Sequence, residues 1–217
     1  MTYTGEVTVG GPADVRELPG LTITKVAVGS MNNNAYLLRC TDTGKLALID
    51  AASEPQTLLG LIGGTPLDVI ITTHQHWDHW GALQEVQQAT GAATVAHPDD
   101  ADPLPVPVSD LVRHGDKVRV GSAVLTVAHL RGHTPGSIAL RYDDGAESHV
   151  FTGDSLFPGG PGNTQKDPVR FDSLMTDLED RVFGELADVT GVYPGHGHDT
   201  TLGAERPHLA EWRARGW

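Results

Sequence analysis

The chain has 217 residues, 39% of them hydrophobic and 20% charged, a balance that supports a buried core and excludes a disordered chain. Its formal charge of −13 opposes non-specific attraction to nucleic acid or to an anionic membrane, because both need a positive field. A lone cysteine, Cys40, excludes an intrachain disulfide, and no stretch reads as a leader or membrane span, so a cytoplasmic protein of one domain over residues 1–217 is expected.

The first part of the chain reads as strands rich in β-branched residues: Val15 to Leu18, Leu21 to Val28, Ala35 to Cys40 and Lys45 to Ile49. Turns fall at Pro19-Gly20, at Met31-Asn32-Asn33-Asn34 and at Asp42-Thr43-Gly44, and Cys40 reads as a small core residue on its strand. Asp50 closes an apolar strand, where a carboxylate serves either as a turn former or as support for a neighbouring loop. Glu54 to Ile62 fits a short helix stopped by Gly63-Gly64, and Leu67 to Ile71 is the next strand.

Directly after that strand comes Thr72-Thr73-His74-Gln75-His76-Trp77-Asp78-His79-Trp80-Gly81. Neutral imidazole and carboxylate are the ligands that suit zinc and iron(II), whereas soft thiolate is nearly absent from the chain. Loops at the carboxyl ends of strands are where α/β proteins place their sites. A histidine-rich polar surface loop is the plain alternative.

Ala82 to Ala89 then reads as a helix and Thr94 to Ala96 as a strand. Asp99 to Asp110, rich in Pro and Asp, reads as an irregular surface connection. Lys117 to Val127 predicts a hairpin turning at Gly121, and Ile138 to Tyr142 with His149 to Thr152 predicts a second around Asp143-Asp144-Gly145. Phe171 to Phe183 has helical spacing, Val189 to Tyr193 is a last strand, and Ala204 to Arg213 a terminal helix. Three loops after predicted strands each add one potential ligand beside glycine: His133 in Gly132-His133-Thr134-Pro135-Gly136, Asp154 after Thr152-Gly153, and His196 in Pro194-Gly195-His196-Gly197.

The ordered set His74-x-His76-x-Asp78-His79, His133, Asp154, His196 resembles the metallo-β-lactamase superfamily over nearly the whole chain. That resemblance implies an α/β fold, a four-layer αββα sandwich with a metal pair at one edge. It implies that His74, His76 and His133 hold one divalent ion, that Asp78, His79 and His196 hold a second, and that Asp154 bridges them. Zinc is the expected metal, with iron as the alternative. Asp50 matches an acidic position that supports the metal loop without binding metal. Two metals lower the pKa of a shared water and polarise a carbonyl, so a hydrolase using a metal-bound hydroxide is implied, with Asp78 as the catalytic side chain that orients the nucleophile.

Within the superfamily, Gly132-His133-Thr134-Pro135-Gly136-Ser137 and Phe151-Thr152-Gly153-Asp154-Ser155-Leu156-Phe157 are most similar to the glyoxalase II branch, which cleaves thioesters of small thiols. The chain departs from that branch at Pro158-Gly159-Gly160-Pro161-Gly162-Asn163 and in having no long C-terminal helical extension, which leaves mycothiol, coenzyme A or another ester open beside glutathione. The ranked alternative is a mononuclear iron persulfide dioxygenase; a phosphodiesterase and a structural metal protein rank lower. The expected partner is a small-molecule substrate, with neither nucleic acid nor membrane.

Other residues keep plain readings. His97, His114, His129, His149, His198 and His208 read as turn, strand or surface residues, with His198 placed to reach the mouth of the site. Trp77 and Trp80 either wall the pocket or pack in the core, and Asn33 and Asn34 read as turn residues, with a place bordering the pocket as the other option. Lys166 and Arg170 read as solvated charges at a helix start, with an anionic substrate as the other option.

Overall fold

The computed structural model describes residues 2–216. In chain order its elements are β1 (Asp14–Leu18), β2 (Leu21–Val28), β3 (Asn33–Cys40), β4 (Leu46–Ile49), α1 (Pro55–Ile62), β5 (Leu67–Ile71), α2 (Leu83–Thr90), β6 (Ala93–Ala96), α3 (Pro98–Ala101) and β7 (Asp110–Leu111). There follow β8 (Lys117–Val120), β9 (Ala123–His129), β10 (Ile138–Asp143), β11 (Ser148–Gly153), β12 (Leu156–Phe157), β13 (Gly160–Pro161), α4 (Pro168–Leu178), β14 (Gly191–Pro194), β15 (Thr200–Thr201), α5 (Leu202–Glu205) and α6 (Leu209–Arg215).

Strands β1 to β7 form one sheet in sequence order. It is antiparallel from β1 to β4 and parallel from β4 to β7, the three parallel joins running through α1, α2 and α3 in turn. The second sheet runs β15-β14-β11-β10-β9-β8, and β12 pairs with β13 in a small ribbon. Alternation along each strand divides the apolar residues among three cores. Between the sheets lie Leu21, Ile23, Tyr36, Leu38, Ile49, Ile71, Leu125, Leu140, Phe151 and Tyr193. On the outer face of the first sheet, Val28, Leu37, Leu48 and Ile70 meet Leu58 of α1 and Leu83 and Val86 of α2. On the outer face of the second, Ala139, Val150 and Val192 meet Leu174, Met175 and Leu178 of α4 and Trp212 of α6. Helix, sheet, sheet and helix are thus four layers, and β4, between a helix layer and the other sheet, is buried at every position.

Several boundaries differ from the sequence reading for local reasons. Strand β3 starts at Asn33, not Ala35, because Asn33 and Asn34 already pair with Val28 and Ala27. The connection after Thr94 to Ala96 contains α3, capped when the His97 ring accepts the Asp99 amide N–H at 3.2 Å. The strand read at Val189 to Tyr193 is Gly191–Pro194 and is followed by the short β15, and the terminal helix is interrupted over Arg206–His208, where Pro207 cannot continue the ladder. Both predicted hairpins are present, with β8 pairing β9 and β10 pairing β11.

Candidate metal centre

The seven side chains converge because each stands just past a strand at one end of the two sheets. The motif follows β5, His133 lies in the connection from β9 to β10, Asp154 follows β11, and His196 follows β14. Backbone bonds stitch these ends together: Ile138 N–H to Thr73 C=O at 2.9 Å, Gly195 N–H to Gly153 C=O at 2.9 Å, and Asn34 N–H to Gly195 C=O at 2.7 Å. Gly195 leaves the space that the centre needs, since a β-carbon there would lie 2.3 Å from Asp154 Oδ1 and 2.6 Å from His79 Cε1.

His76 Nδ1 stands 3.2 Å from His74 Nε2 and 2.9 Å from His133 Nε2. His79 Nε2 stands 3.3 Å from His196 Nε2, and Asp78 Oδ2 is 3.5 Å from the first and 3.4 Å from the second. Asp154 faces both groups, with Oδ1 3.3 Å from His79 Nε2 and Oδ2 3.6 Å from His133 Nε2 and 3.5 Å from His196 Nε2. These are the two triads and the shared aspartate expected from the sequence, brought within ligand-to-ligand range.

The outward nitrogens explain why these particular atoms face inward. His133 Nδ1 donates to Asn163 C=O at 2.8 Å and His196 Nδ1 to Met31 C=O at 3.0 Å. His79 Nδ1 donates to Asp50 Oδ2 at 2.8 Å. Thr73 Oγ1 donates to the same oxygen at 2.8 Å, which leaves the hydroxyl to accept from His74 Nδ1 at 3.0 Å. A proton held on Nδ1 leaves a lone pair on Nε2, the form a metal requires. Asp50 therefore orients one histidine of each triad, and it does so from a left-handed backbone (φ 56°) at the end of β4.

Burial sets the charge states together with these neighbours. It pushes His74 and His76 down from the ordinary imidazole value and brings His133 to about 4, which favours the neutral ring. Burial also opposes charge on His79 and His196, but the carboxylates Asp50, Asp154 and Asp78 override it and raise the two to about 10 and about 9. Burial would raise Asp78 and Asp154 too; the His196 ring beside both, with the Asn33 amide at Asp78 and the His79 ring at Asp154, holds both carboxyls below the usual range. Without a metal the second triad therefore keeps protons that a cation would displace.

Several supports were not legible as such in the sequence. Asn33 Nδ2 donates to Asp78 Oδ2 at 2.9 Å, and Asn34 Nδ2 donates to the carbonyls of Pro194 and Gly197 at 2.9 Å each, so the two asparagines hold the site instead of forming a turn. Asp100 is buried and accepts from the Gln75 and Gly136 amides at 3.0 and 2.8 Å and from the Thr134 hydroxyl, joining the motif loop to the His133 loop. Arg170 is spent inside the fold, donating to Gly132 C=O at 2.7 Å and to His133 C=O. Lys25, fully buried on the inward face of β2, donates to Gly5 C=O at 2.7 Å, Gly197 C=O at 2.8 Å and Asp199 Oδ1 at 2.6 Å, pinning the loop that carries His196. A buried lysine has no periodic signature, and an Asp in a Pro-rich stretch looks like any other loop residue.

Other expectations resolve differently. The His198 side chain is 70% exposed and faces Glu6, away from the centre. Trp77 is 63% exposed, while Trp80 packs on the outer core of the first sheet and donates Nε1 to Gln75 C=O at 2.8 Å, bracing the motif. His149 and Cys40 are buried strand residues, as read.

Asp154 Oδ1 is buried with no hydrogen-bond partner among the described residues, a cost that a cation between the two triads would remove. With four inward Nε2 atoms, one inward Nδ1 and two carboxylates, the donor set fits two borderline divalent ions. Residues 28–198 match the family described as the metallo-beta-lactamase superfamily. A hydroxyacylglutathione hydrolase of Rhodospirillum rubrum is 38% identical over 143 residues, 65% of this chain and 54% of the relative, so the chain spans about half the length of that relative. Among solved structures, ETHE1 from Myxococcus xanthus is 30% identical with a TM-score of 0.75, covering 86% of this chain and 82% of that one. TTHA1623, solved in a di-iron-bound form, is 33% identical with a TM-score of 0.69, covering 84% and 96%. Since the match runs through both sheets and all seven converging side chains, the chain belongs to the metallo-beta-lactamase superfamily.

Proposed function

We propose that this protein is a metal-dependent hydrolase that cleaves a thioester, or a related acyl ester, of a small thiol. The observation that carries the reading is the pair of triads sharing Asp154, His74, His76 and His133 on one side and Asp78, His79 and His196 on the other, beside an open cavity of about 560 Å³ that reaches His76 and His133. The kinship with a hydroxyacylglutathione hydrolase supports the thioester class. His74, His76, His133, Asp78, His79, His196 and Asp154 would hold a divalent pair, zinc first and iron second, which when bound would supply an activated water and polarisation of the substrate carbonyl.

The chain's own residues do the rest. Asp78, held by Asn33 through Oδ2, is placed to orient the attacking water. Asp50 fixes His79 directly and His74 through Thr73, so both triads keep their inward lone pairs. The substrate is a small molecule bound from the cavity side.

The likeness to ETHE1 keeps a second reading, a mononuclear iron persulfide dioxygenase using one triad. The second triad counts against it, because Asn33, Asp50 and the Met31 carbonyl hold its members as firmly as the first is held. Metal analysis of protein purified without added metal, with thiol release from an acyl-thiol panel, tests the proposal. Two metal equivalents with thioester cleavage are expected; one iron with oxygen uptake on a persulfide would overturn it.

A further inference from the structure

We infer that Asp100 is a positioning residue for the triad His74, His76 and His133, setting His76 and His133 for the first ion while the second ion depends on other supports. This rests on the two-metal reading of the centre and gives one of its ions a separate anchor. His76 differs from the other four histidines of the centre. The outward nitrogens of His74, His79, His133 and His196 are bonded to Thr73, Asp50, Asn163 and Met31 in turn. His76 faces the centre through Nδ1, and its outer nitrogen, Nε2, has no partner among the described residues. No bond at the far side of the ring orients this ligand, so its place must come from its backbone.

That backbone is pinned at the preceding residue. Gln75 N–H donates to Asp100 Oδ2 at 3.0 Å, and Gln75 C=O accepts from Trp80 Nε1 at 2.8 Å. The same carboxylate holds the other loop, with Gly136 N–H on Oδ1 at 2.8 Å and the Thr134 hydroxyl, next to His133, on Oδ2. The approach is close, since a β-carbon at Gly136 would lie 2.8 Å from Asp100 Cγ. Asp100 is 1% exposed, so its oxygens have no water to turn to, and charge-assisted bonds to both loops set the spacing of His76 and His133. Members of the second triad are held elsewhere: Asp78 by Asn33, His79 by Asp50 and His196 by the Met31 carbonyl. Because His76 lines the cavity, holding it from the backbone also leaves that wall open to substrate.

Two variants test this. Asp100→Asn keeps the size of the side chain, but whichever way the amide turns, its NH2 confronts the N–H of Gln75 or of Gly136. Trp80→Phe keeps an aromatic ring and every charge and removes only the indole bond to Gln75 C=O. Stepwise zinc affinity is measured by chelator competition, and anomalous diffraction from crystals grown at limiting zinc assigns each step to a triad. Asp100→Asn should weaken the first triad by about 10–100-fold, and Trp80→Phe by about two- to tenfold, the worth of one neutral hydrogen bond, with the second triad unchanged in both. Equal loss at both triads, as general loosening would give, overturns the inference, as does unchanged affinity at the first. Loss in Asp100→Asn with none in Trp80→Phe would show that charge and not position is at work, and overturns it too. If Asp100→Asn does not fold, the same split in Trp80→Phe decides. No substrate enters these measurements, so a failure to cleave any thioester would overturn the hydrolase reading alone. A wild-type protein with a single ion on His74, His76 and His133 would overturn the two-metal reading and leave the variants to decide; a single ion held away from them would overturn both.

Discussion

Replacing Asp50 by Asn tests whether the centre is held together from beneath. Asn tolerates the left-handed backbone at this position (φ 56°), so the substitution changes hydrogen bonding and little else. Asp50 accepts three bonds at 2.8 Å each: the Thr73 amide on Oδ1, and the Thr73 hydroxyl and His79 Nδ1 on Oδ2. An amide nitrogen in place of Oδ2 confronts two buried donors with a third donor. Leaving each unsatisfied costs about 1–3 kcal/mol, which His79 escapes only by moving its proton to Nε2. That atom faces Asp154 and Asp78 at 3.3 and 3.5 Å, so the escape occupies a ligand position. Loss of such a support lowers metal affinity by about 10–100-fold, and here it should reach both metals, because Thr73 passes the effect to His74. Chelator competition with metal quantitation measures it, with circular dichroism to establish that the fold persists. A folded Asp50→Asn protein with unchanged affinity for both ions would refute the orienting role.

Gly195→Ala should displace Asp154 and His79 by crowding their facing atoms, lowering occupancy of the second ion more than it lowers melting temperature; equal occupancy would show that the loop relaxes freely. Lys25→Met strands Asp199 in a buried setting and should cost about 3–5 kcal/mol in denaturant unfolding, partly recovered in the double variant with Asp199→Asn. A double variant no better than the single would rule out the stranded charge as the cause. Burial, with His129 stacked against the ring, pushes His97 down to about 4. The unfolded chain therefore takes the proton first: this contribution to stability is complete above the ordinary histidine value of about 6.5 and is lost as pH falls towards 4, on the order of 3 kcal/mol. His97→Gln should flatten that limb in metal-free unfolding titrations, and parallel curves for the two proteins would refute it.

The chemistry was legible in the sequence because metal ligation restricts residue types so tightly. Few patterns other than a metal loop place His74, His76, Asp78 and His79 together, and the later His133, Asp154 and His196 each follow a recognisable apolar strand. Strand and helix periodicity also showed which stretches form the layers, since each apolar face must find a partner.

The supports were invisible for the converse reason. Asn33, Asp100, Arg170 and Lys25 act through hydrogen bonds to residues distant in the chain, and their types are equally at home in a turn, a loop or a solvated helix end. Arg170 shows the difference: its place at a helix start suggested a solvated charge, yet the approach of α4 to the His133 loop turned its guanidinium onto two carbonyls. The sequence by itself supplied the candidate donor set and the strands and helices, which follow from local composition and period, while the layered fold came from the resemblance those donors carry. Only the tertiary structure decided which nitrogen of each histidine faces the centre, because that depends on where distant carbonyls and carboxylates come to rest.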